Sequence, residues 1–449
     1  MISNLEKVFN KILPSPFSIA IILTAFIIVL CNFLTDYSFN EILTFWENGL
    51  WNSSLMNFAM QMMLMLVLGY VLALSETVDK VICKMTPFCN STPKAAYFVS
   101  LTTIIVSFLN WGLGLIFGAI LTRKVGEYNQ NKNNKINYPL VGAAGYCGLM
   151  VWHGGFSGSI PLKIAEKNHF SEIITREDIL IKLPKEGIHF NETVLSSMNL
   201  TASLLVIIII PLTFLILAKY TKNTNRYNIK ININDSKKKI ISNGDKLDHS
   251  VALSKITGLI ILFVAIRKGY LSKDLSVVNP NYINLLLLGL SIFLHKNFFN
   301  FIKSVNKAIK SASGILIQFP LYFGIMGIMN SSGLVDIFAN FFVSFSNEQT
   351  YPILTMISGG IVNIFVPSGG GQWAVQGLIV IQSALEMGVP VSKSIMALVY
   401  GDQLTNMLQP FWALPLLGIT QIKAKHLISY TLIIMLVGIV IFSFCLIFI

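Results

Sequence analysis

Two Gly-rich interruptions sit inside long apolar runs and carry residue types suited to binding rather than to bond-breaking. The first reads Asn110-Trp111-Gly112-Leu113-Gly114 and the second Val366-Pro367-Ser368-Gly369-Gly370-Gly371-Gln372. Asn110 offers an amide acceptor and amide donors, and Gly112 and Gly114 let a ligand approach the backbone closely. Three glycines after Pro367 end a helix. A helix resuming near Gln372 would aim its first N–H groups at the break, a natural anion site, and Ser368 adds a hydroxyl. The bland alternative is that such glycines only let helices pack closely in lipid.

Two further apolar segments hold small and amide residues: His153-Gly154-Gly155-Phe156-Ser157-Gly158-Ser159-Ile160-Pro161 and the run from Tyr400 to Pro410. Together these stretches nominate Asn110, Gly112, Gly114, His153, Gly154, Ser157, Ser159, Ser368, Gly369, Gly370, Gly371 and Gln372 as substrate ligands. His153 reads first as a hydrogen-bonded structural residue and second as a ligand. Asp402 is the one acid well inside an apolar run, and an intramembrane carboxylate is functional by default. It is expected to take up a proton or bind Na⁺, with Asn110, Asn363 and Asn406 as further ion-coupling candidates. No Lys or Arg lies within the four stretches, which points to a small monoanion held by helix ends and amides. No catalytic constellation, metal-ligand set or GxxxxGK[ST] phosphate loop is present, so neither an enzyme nor an ATP-driven engine is expected, nor any cofactor beyond a coupling ion. Five cysteines without metal spacing predict no disulfide.

The elements that position these residues are membrane spans. Of 449 residues, 54% are apolar and 12% charged, against about 25% charged in soluble domains. The net charge of +12 sits in loops, as a topology signal rather than a nucleic-acid surface. Spans are expected near 15–34, 55–75, 139–162, 199–218, 254–271, 281–296, 311–330, 392–417 and 427–449. The first has no small-residue cleavage site after it and reads as a retained helix. Lys80, Lys84 and Lys94 precede the first interrupted stretch, and Arg123, Lys124, Lys132 and Lys135 follow it. Both loops are thus expected to be cytoplasmic, making about 95–122 a re-entrant hairpin. Loops 35–54 and 331–350 carry acids and no Lys or Arg, so about 351–387 is a hairpin entering from outside.

The expected fold is all-α and polytopic, about nine spans plus two hairpins in an inverted-topology repeat, N-terminus cytoplasmic and C-terminus external. Residues 1–218 form the first half, 219–255 a basic cytoplasmic linker, and 256–449 an extra helix and the second half. Gln61, Asn110, Phe156 and Pro161 recur as Gln318, Asn363, Phe411 and Pro415, 253 to 257 residues later. Inverted repeats with breaks near the midplane mark secondary transporters, so a small organic anion is the expected cargo and the bilayer the expected partner.

The runs at 110–115, 154–159, 366–373 and Gln409-Pro410-Phe411-Trp412-Ala413-Leu414-Pro415 resemble the bacterial short-chain fatty acid transporter family. Similarity extends over nearly the whole chain, through Leu13-Pro14, Phe58 to Met62 and Ser313 to Pro320. The resemblance implies inner-membrane uptake of acetoacetate, butyrate or similar monocarboxylates, with a homodimer and an elevator-type motion. An exchanger or transporter of another anion, such as a dicarboxylate, is the alternative. Two positions depart from the family pattern: His153, where Gly is familiar, and Asp402, where Glu is.

Overall fold

Apolar runs punctuated by Pro, Asn and Ser dictate where helices begin. The computed structural model describes residues 16–174, 176–221, 246–272, 277–366 and 368–449. Most of the basic linker, Leu13-Pro14 and Pro367 lie outside these residues. Among those described there are α-helices and 3₁₀ turns and no strand.

The first half opens with α1 (Pro16–Leu34), α2 (Phe39–Leu50), α3 (Ser53–Ala73) and the short α4 (Glu76–Met85). A helix pair follows, α5 (Thr92–Leu109) and α6 (Trp111–Asn131), separated by Asn110 alone. Next is α7 (Tyr138–Tyr146), a 3₁₀ turn to Met150, an irregular loop and α8 (Ser159–Ile164). The short helices α9 (His169–Ile173) and α10 (Glu177–Leu180) lead to α11 (Ser197–Tyr220). Then come α12 (Val251–Ser272), α13 (Pro280–Leu294) and α14 (Phe298–Ala308).

The second half repeats the order: α15 (Ser313–Ser332), α16 (Leu334–Ser344), the pair α17 (Tyr351–Phe365) and α18 (Gly369–Met387), the broken α19 (Val391–Thr405) and α20 (Pro410–Thr420), and α21 (Ala424–Phe448). The expected spans 139–162 and 392–417 are therefore interrupted helices. Their breaks fall at 147–158, which holds four glycines, and at 406–409, which immediately precedes Pro410.

Starts are set locally. Asn52, Asn137, Ser196 and Asn279 each accept a backbone N–H of the first turn of the helix they precede. Among the described residues five helical runs are long and apolar enough to cross a membrane: Ser53–Ala73, Thr92–Leu109, Ser197–Tyr220, Phe298–Ser332 and Ala424–Phe448. On α12, Ile256, Leu259, Ile260, Phe263 and Val264 are exposed, an outward apolar face that only lipid or a partner can cover. The chain is a multi-pass membrane protein.

The packing of the two halves corresponds. α3 packs on α6 as α15 packs on α18, and α5 packs on α7 as α17 packs on α19. The halves also interlock, since α8 packs on α18 and α20 packs on α6. Each broken helix thus lays its second piece on the helix pair of the opposite half.

Candidate functional site

At each helix pair a short polar side chain ends one helix and starts the next. Asn110 adopts an extended backbone, and its Oδ1 accepts the Leu113 N–H at 2.8 Å. Ser368 does the same for α18, its Oγ accepting the Gly371 N–H at 3.3 Å. The backbone therefore pairs Asn110 with Ser368, not with Asn363 as the sequence repeat has it; Asn363 lies within α17.

The first tip is bound to the 151–158 loop. The Phe156 N–H donates to the Phe108 carbonyl at 2.8 Å, and the Trp111 N–H to Ser157 Oγ at 2.9 Å. Trp111 lies 5.5 Å from Trp152 and 5.4 Å from Trp412, centroid to centroid. The loop in turn meets the second half. The Gly154 N–H donates to Gln403 Oε1 at 3.2 Å, and His153 Nδ1 lies 2.6 Å from Asp402 Oδ2, both side chains fully buried. Because His153 Nε2 accepts the Ile160 N–H at 3.2 Å, the ring's own proton belongs on Nδ1. That N–H is not well aligned on the carboxylate, and neither atom has another partner. Gly369 closes the site: a Cβ there would stand 2.5 Å from His153 Cε1 and 3.1 Å from Asp402 Oδ2.

Asn363 is the hub of the second break. Its Nδ2 reaches the Asp402 carbonyl at 2.7 Å, Thr405 Oγ1 at 2.9 Å and Asn406 Oδ1 at 3.0 Å. Gln409 Nε2 donates to the Asn363 carbonyl, and Asn406 Nδ2 reaches Asp402 Oδ1 at 3.4 Å. Gln372 Nε2 donates to the Gly359 carbonyl at 2.6 Å. These backbone partners fix which end of each amide is oxygen.

The unpartnered amide and indole groups sort by type, while the Ser107 and Tyr322 hydroxyls, also unpartnered, can act either way. Around the second break Asn363 Oδ1, Gln372 Oε1 and Gln409 Oε1 are buried acceptors without a donor. Around the first tip Asn110 Nδ2, Trp111 Nε1 and Trp152 Nε1 are buried donors without an acceptor. A buried polar group left unpaired costs about 1–3 kcal/mol, so both clusters gain from a ligand, a cation at the acceptors and an anion at the donors. Neutral oxygens with one carboxylate suit a hard cation or a proton on Asp402; among the described residues no three His, Cys, Asp or Glu side chains converge as a metal site.

The structure thus brings Asn363, Asp402, Asn406, His153, Gly154 and Gly369 together. Gly112 and Gly114 are instead packing positions, the first against the α3 backbone at Leu66 and the second against Ser107. Gly370 and Gly371 are walled by Phe58, Phe319 and Tyr322, and Ser159 is buried. Trp111 and Trp152 are absent from the expected ligands; their place in a tip and a broken helix was the available signal.

The segment 163–198, which follows the first broken helix, also reaches inward. Lys163 is 2% exposed, 2.5 Å from Glu166 and 5.8 Å from the Phe58 ring centroid. It lines a pocket of about 460 Å³ with Asn52, Asn57, Glu166 and Glu172. His169 Nε2 accepts the Trp373 indole N–H at 3.0 Å, tying this segment to α18. Burial pushes His169 below its usual pKa, outweighing Glu172. Glu172 is held down by His169 first, then by Ser54 and Lys163; His169 Nδ1 lies 3.9 Å from its carboxylate. The absence of Lys and Arg from the four stretches therefore did not mean absence from their surroundings.

The family model described as short chain fatty acid transporter matches residues 1–449. Among curated relatives, a protein of Escherichia coli (strain K12) named "Putative short-chain fatty acid transporter" is 31% identical over 98% of this chain and 97% of its own length. One of the same name from Haemophilus influenzae is 33% identical over 94% of this chain and 93% of its own. Among solved structures, the Alcanivorax borkumensis YdaH transporter superposes with a TM-score of 0.61 at 11% identity, covering 96% of this chain and 97% of that one. Neisseria gonorrhoeae MtrF, described among antimetabolite efflux pumps, gives 0.56 at 11% identity, covering 97% and 95%. At that identity the likeness concerns the fold alone.

Proposed function

Because the chain belongs to the short-chain fatty acid transporter family, we propose that it is a secondary active transporter of acetoacetate, butyrate and similar monocarboxylates across the bacterial cytoplasmic membrane, coupled to Na⁺ or H⁺. One observation carries this reading: unmatched donors gather at the first tip and unmatched acceptors with the Asp402 carboxylate at the second break. In this reading the substrate carboxylate meets Asn110, Trp111 and Trp152, and the coupling cation meets Asp402, Asn363 and Gln409. His153 links the two as a positioning residue. An anion entering against an inside-negative potential faces ~2.3 kcal/mol per charge per 100 mV, which one coupled cation cancels.

The corresponding packing of the two halves supports an inverted repeat with re-entrant tips; nine spans, a cytoplasmic N-terminus and an external C-terminus rest on the loop charges. The exposed apolar face of α12 is compatible with a homodimer. The monocarboxylate is favoured over a dicarboxylate because Lys163, the nearest buried cation among the described residues, is already held by Glu166. No catalytic role enters the reading.

The test is uptake of labelled acetoacetate and butyrate into proteoliposomes under separate Na⁺ and H⁺ gradients. Accumulation driven by one gradient identifies both substrate class and coupling ion. If neither acid moves under either gradient, the substrate assignment fails while the fold stands.

A further inference from the structure

A second polar site lies far from the tips in sequence, where the C-terminal ends of α3 and α13 meet α4 and α14. A pocket of about 410 Å³ opens there, bounded by Glu76, Asp79, Lys296, Lys303 and Lys307. Its acids are already engaged. Glu76 is paired with Lys296 and with Lys80 at 3.1 Å, and Asp79 with Lys124 at 3.2 Å. Within the pocket lining two carboxylates face three lysines, and both carboxylates are also paired from outside it by Lys80 and Lys124, so Lys303 and Lys307 keep their charge unneutralised. Lys303 and Lys307 stand one turn apart on α14, exposed, and neither has an acidic partner among the described contacts. The floor is fixed by His295, whose ring bonds the Ser291 carbonyl at 2.8 Å and Ser304 Oγ at 3.0 Å.

What the pocket fits follows from the helix that carries the two lysines. Phe301 and Ala308 bury one side of α14 against the protein. At about 100° per residue, Lys303, Lys307 and Asn300 occupy one flank. Phe299, one face of whose ring stacks on His249 with centroids 4.6 Å apart, and Ile302 form the adjoining edge, 46% and 51% exposed. The helical run continues from α14 through a 3₁₀ turn at Ile309–Ala312 into the apolar α15, ending at Ser332, so the lysine-bearing α14 sits where a span enters the bilayer. It also lies beside Lys80 and Lys124, whose loops carry the cytoplasmic charge bias.

We propose that this pocket binds the phosphate of an anionic inner-leaflet lipid, with the headgroup on Lys303 and Lys307 and the acyl chains along Phe299 and Ile302. A free phosphate shares the chemistry of the headgroup, but it would leave the apolar edge unused. Charge complementarity and that contiguous edge together select an amphiphile. The inference rests on the membrane placement and on the cytoplasmic orientation of these loops in the proposed function, and does not depend on which acid is transported.

The experiment uses the full chain in detergent, read by native mass spectrometry and by thermal melting. Phosphatidylglycerol, phosphatidylcholine of the same chain length, and inorganic phosphate are the probes. Phosphatidylglycerol is expected to be retained at least fivefold more than phosphatidylcholine and to raise the melting temperature. Inorganic phosphate should neither displace it nor reproduce the stabilisation. Lys303→Gln with Lys307→Gln should remove the preference, the paired Arg substitutions should restore it, and Phe299→Ser should weaken retention without changing headgroup preference. Equal retention of the two lipids, unchanged preference in the Gln variant, or full protection by inorganic phosphate would overturn the proposal. Should the Gln pair fail to fold, the Phe299→Ser variant and the phosphate competition still decide it.

Discussion

Adding one methyl group at Gly369 is the sharpest probe of the buried centre. The new Cβ would stand 2.5 Å from His153 Cε1, 2.8 Å from its Nε2 and 3.1 Å from Asp402 Oδ2, whereas unstrained heavy-atom contacts lie near 3.5–4.0 Å. The ring must therefore retreat by about 1 Å, and it is enclosed. Trp152 stacks on one face with centroids 4.3 Å apart, the Ile160 N–H holds Nε2, and Asp402 stands at Nδ1. Overpacking costs about 1–3 kcal/mol, and losing the Ile160 bond adds about 1 kcal/mol. Gly369→Ala should thus destabilise by about 2–4 kcal/mol and cut uptake at least tenfold. Gly418→Ala on α20 is the control, since a Cβ there meets nothing within 4 Å. In a His153→Ala background the clash with the ring is gone, so adding Gly369→Ala should lower the melting temperature little further. The assays are thermal melting in detergent and butyrate uptake in proteoliposomes. Wild-type melting and uptake for Gly369→Ala would refute the geometry, as would an equal penalty in the His153→Ala background.

Three further outcomes are expected. Asp402→Asn should abolish gradient-driven butyrate accumulation while the protein still melts cooperatively, and wild-type accumulation would remove Asp402 from coupling. Glu166→Gln should destabilise more than Lys163→Met, by up to about 3 kcal/mol, because it leaves an ammonium that is 2% exposed with only the more distant Glu172 carboxylate at 3.9 Å, while Glu166 reaches solvent; the reverse order in melting would contradict the burial argument. Acidification should loosen the 163–198 segment. His169, lowered by burial, binds fewer protons folded than unfolded, so its contribution is complete above its ordinary value near 6.5 and fades as pH falls below it. Glu172, also lowered, acts in the same direction at lower pH, from its ordinary carboxylate range downward. Melting curves from pH 8 to 5 should therefore fall less steeply for His169→Gln than for wild type, and parallel curves would count against this assignment.

The amino-acid sequence by itself determined the all-helical apolar character and the breaks at Asn110 and near Ser368, because apolar run length, Gly and Pro act on the local backbone; Gly369 to Gly371, expected to end a helix, instead form the first turn of α18. It also singled out Asp402, since one acid in an apolar run stands out without any neighbour. Only the tertiary structure decided that His153 meets Asp402, that Asn363 rather than Asn110 shares its cluster, and that Lys163 and His169 reach the walls of the second helix pair. The physical reason lies in the helices themselves. Spans such as α11 and α15 are apolar on every side, so no polar stripe marks which face meets protein and which meets lipid. Contacts between residues 249 positions apart, as for His153 and Asp402, then depend on how whole helices pack, which no local pattern encodes.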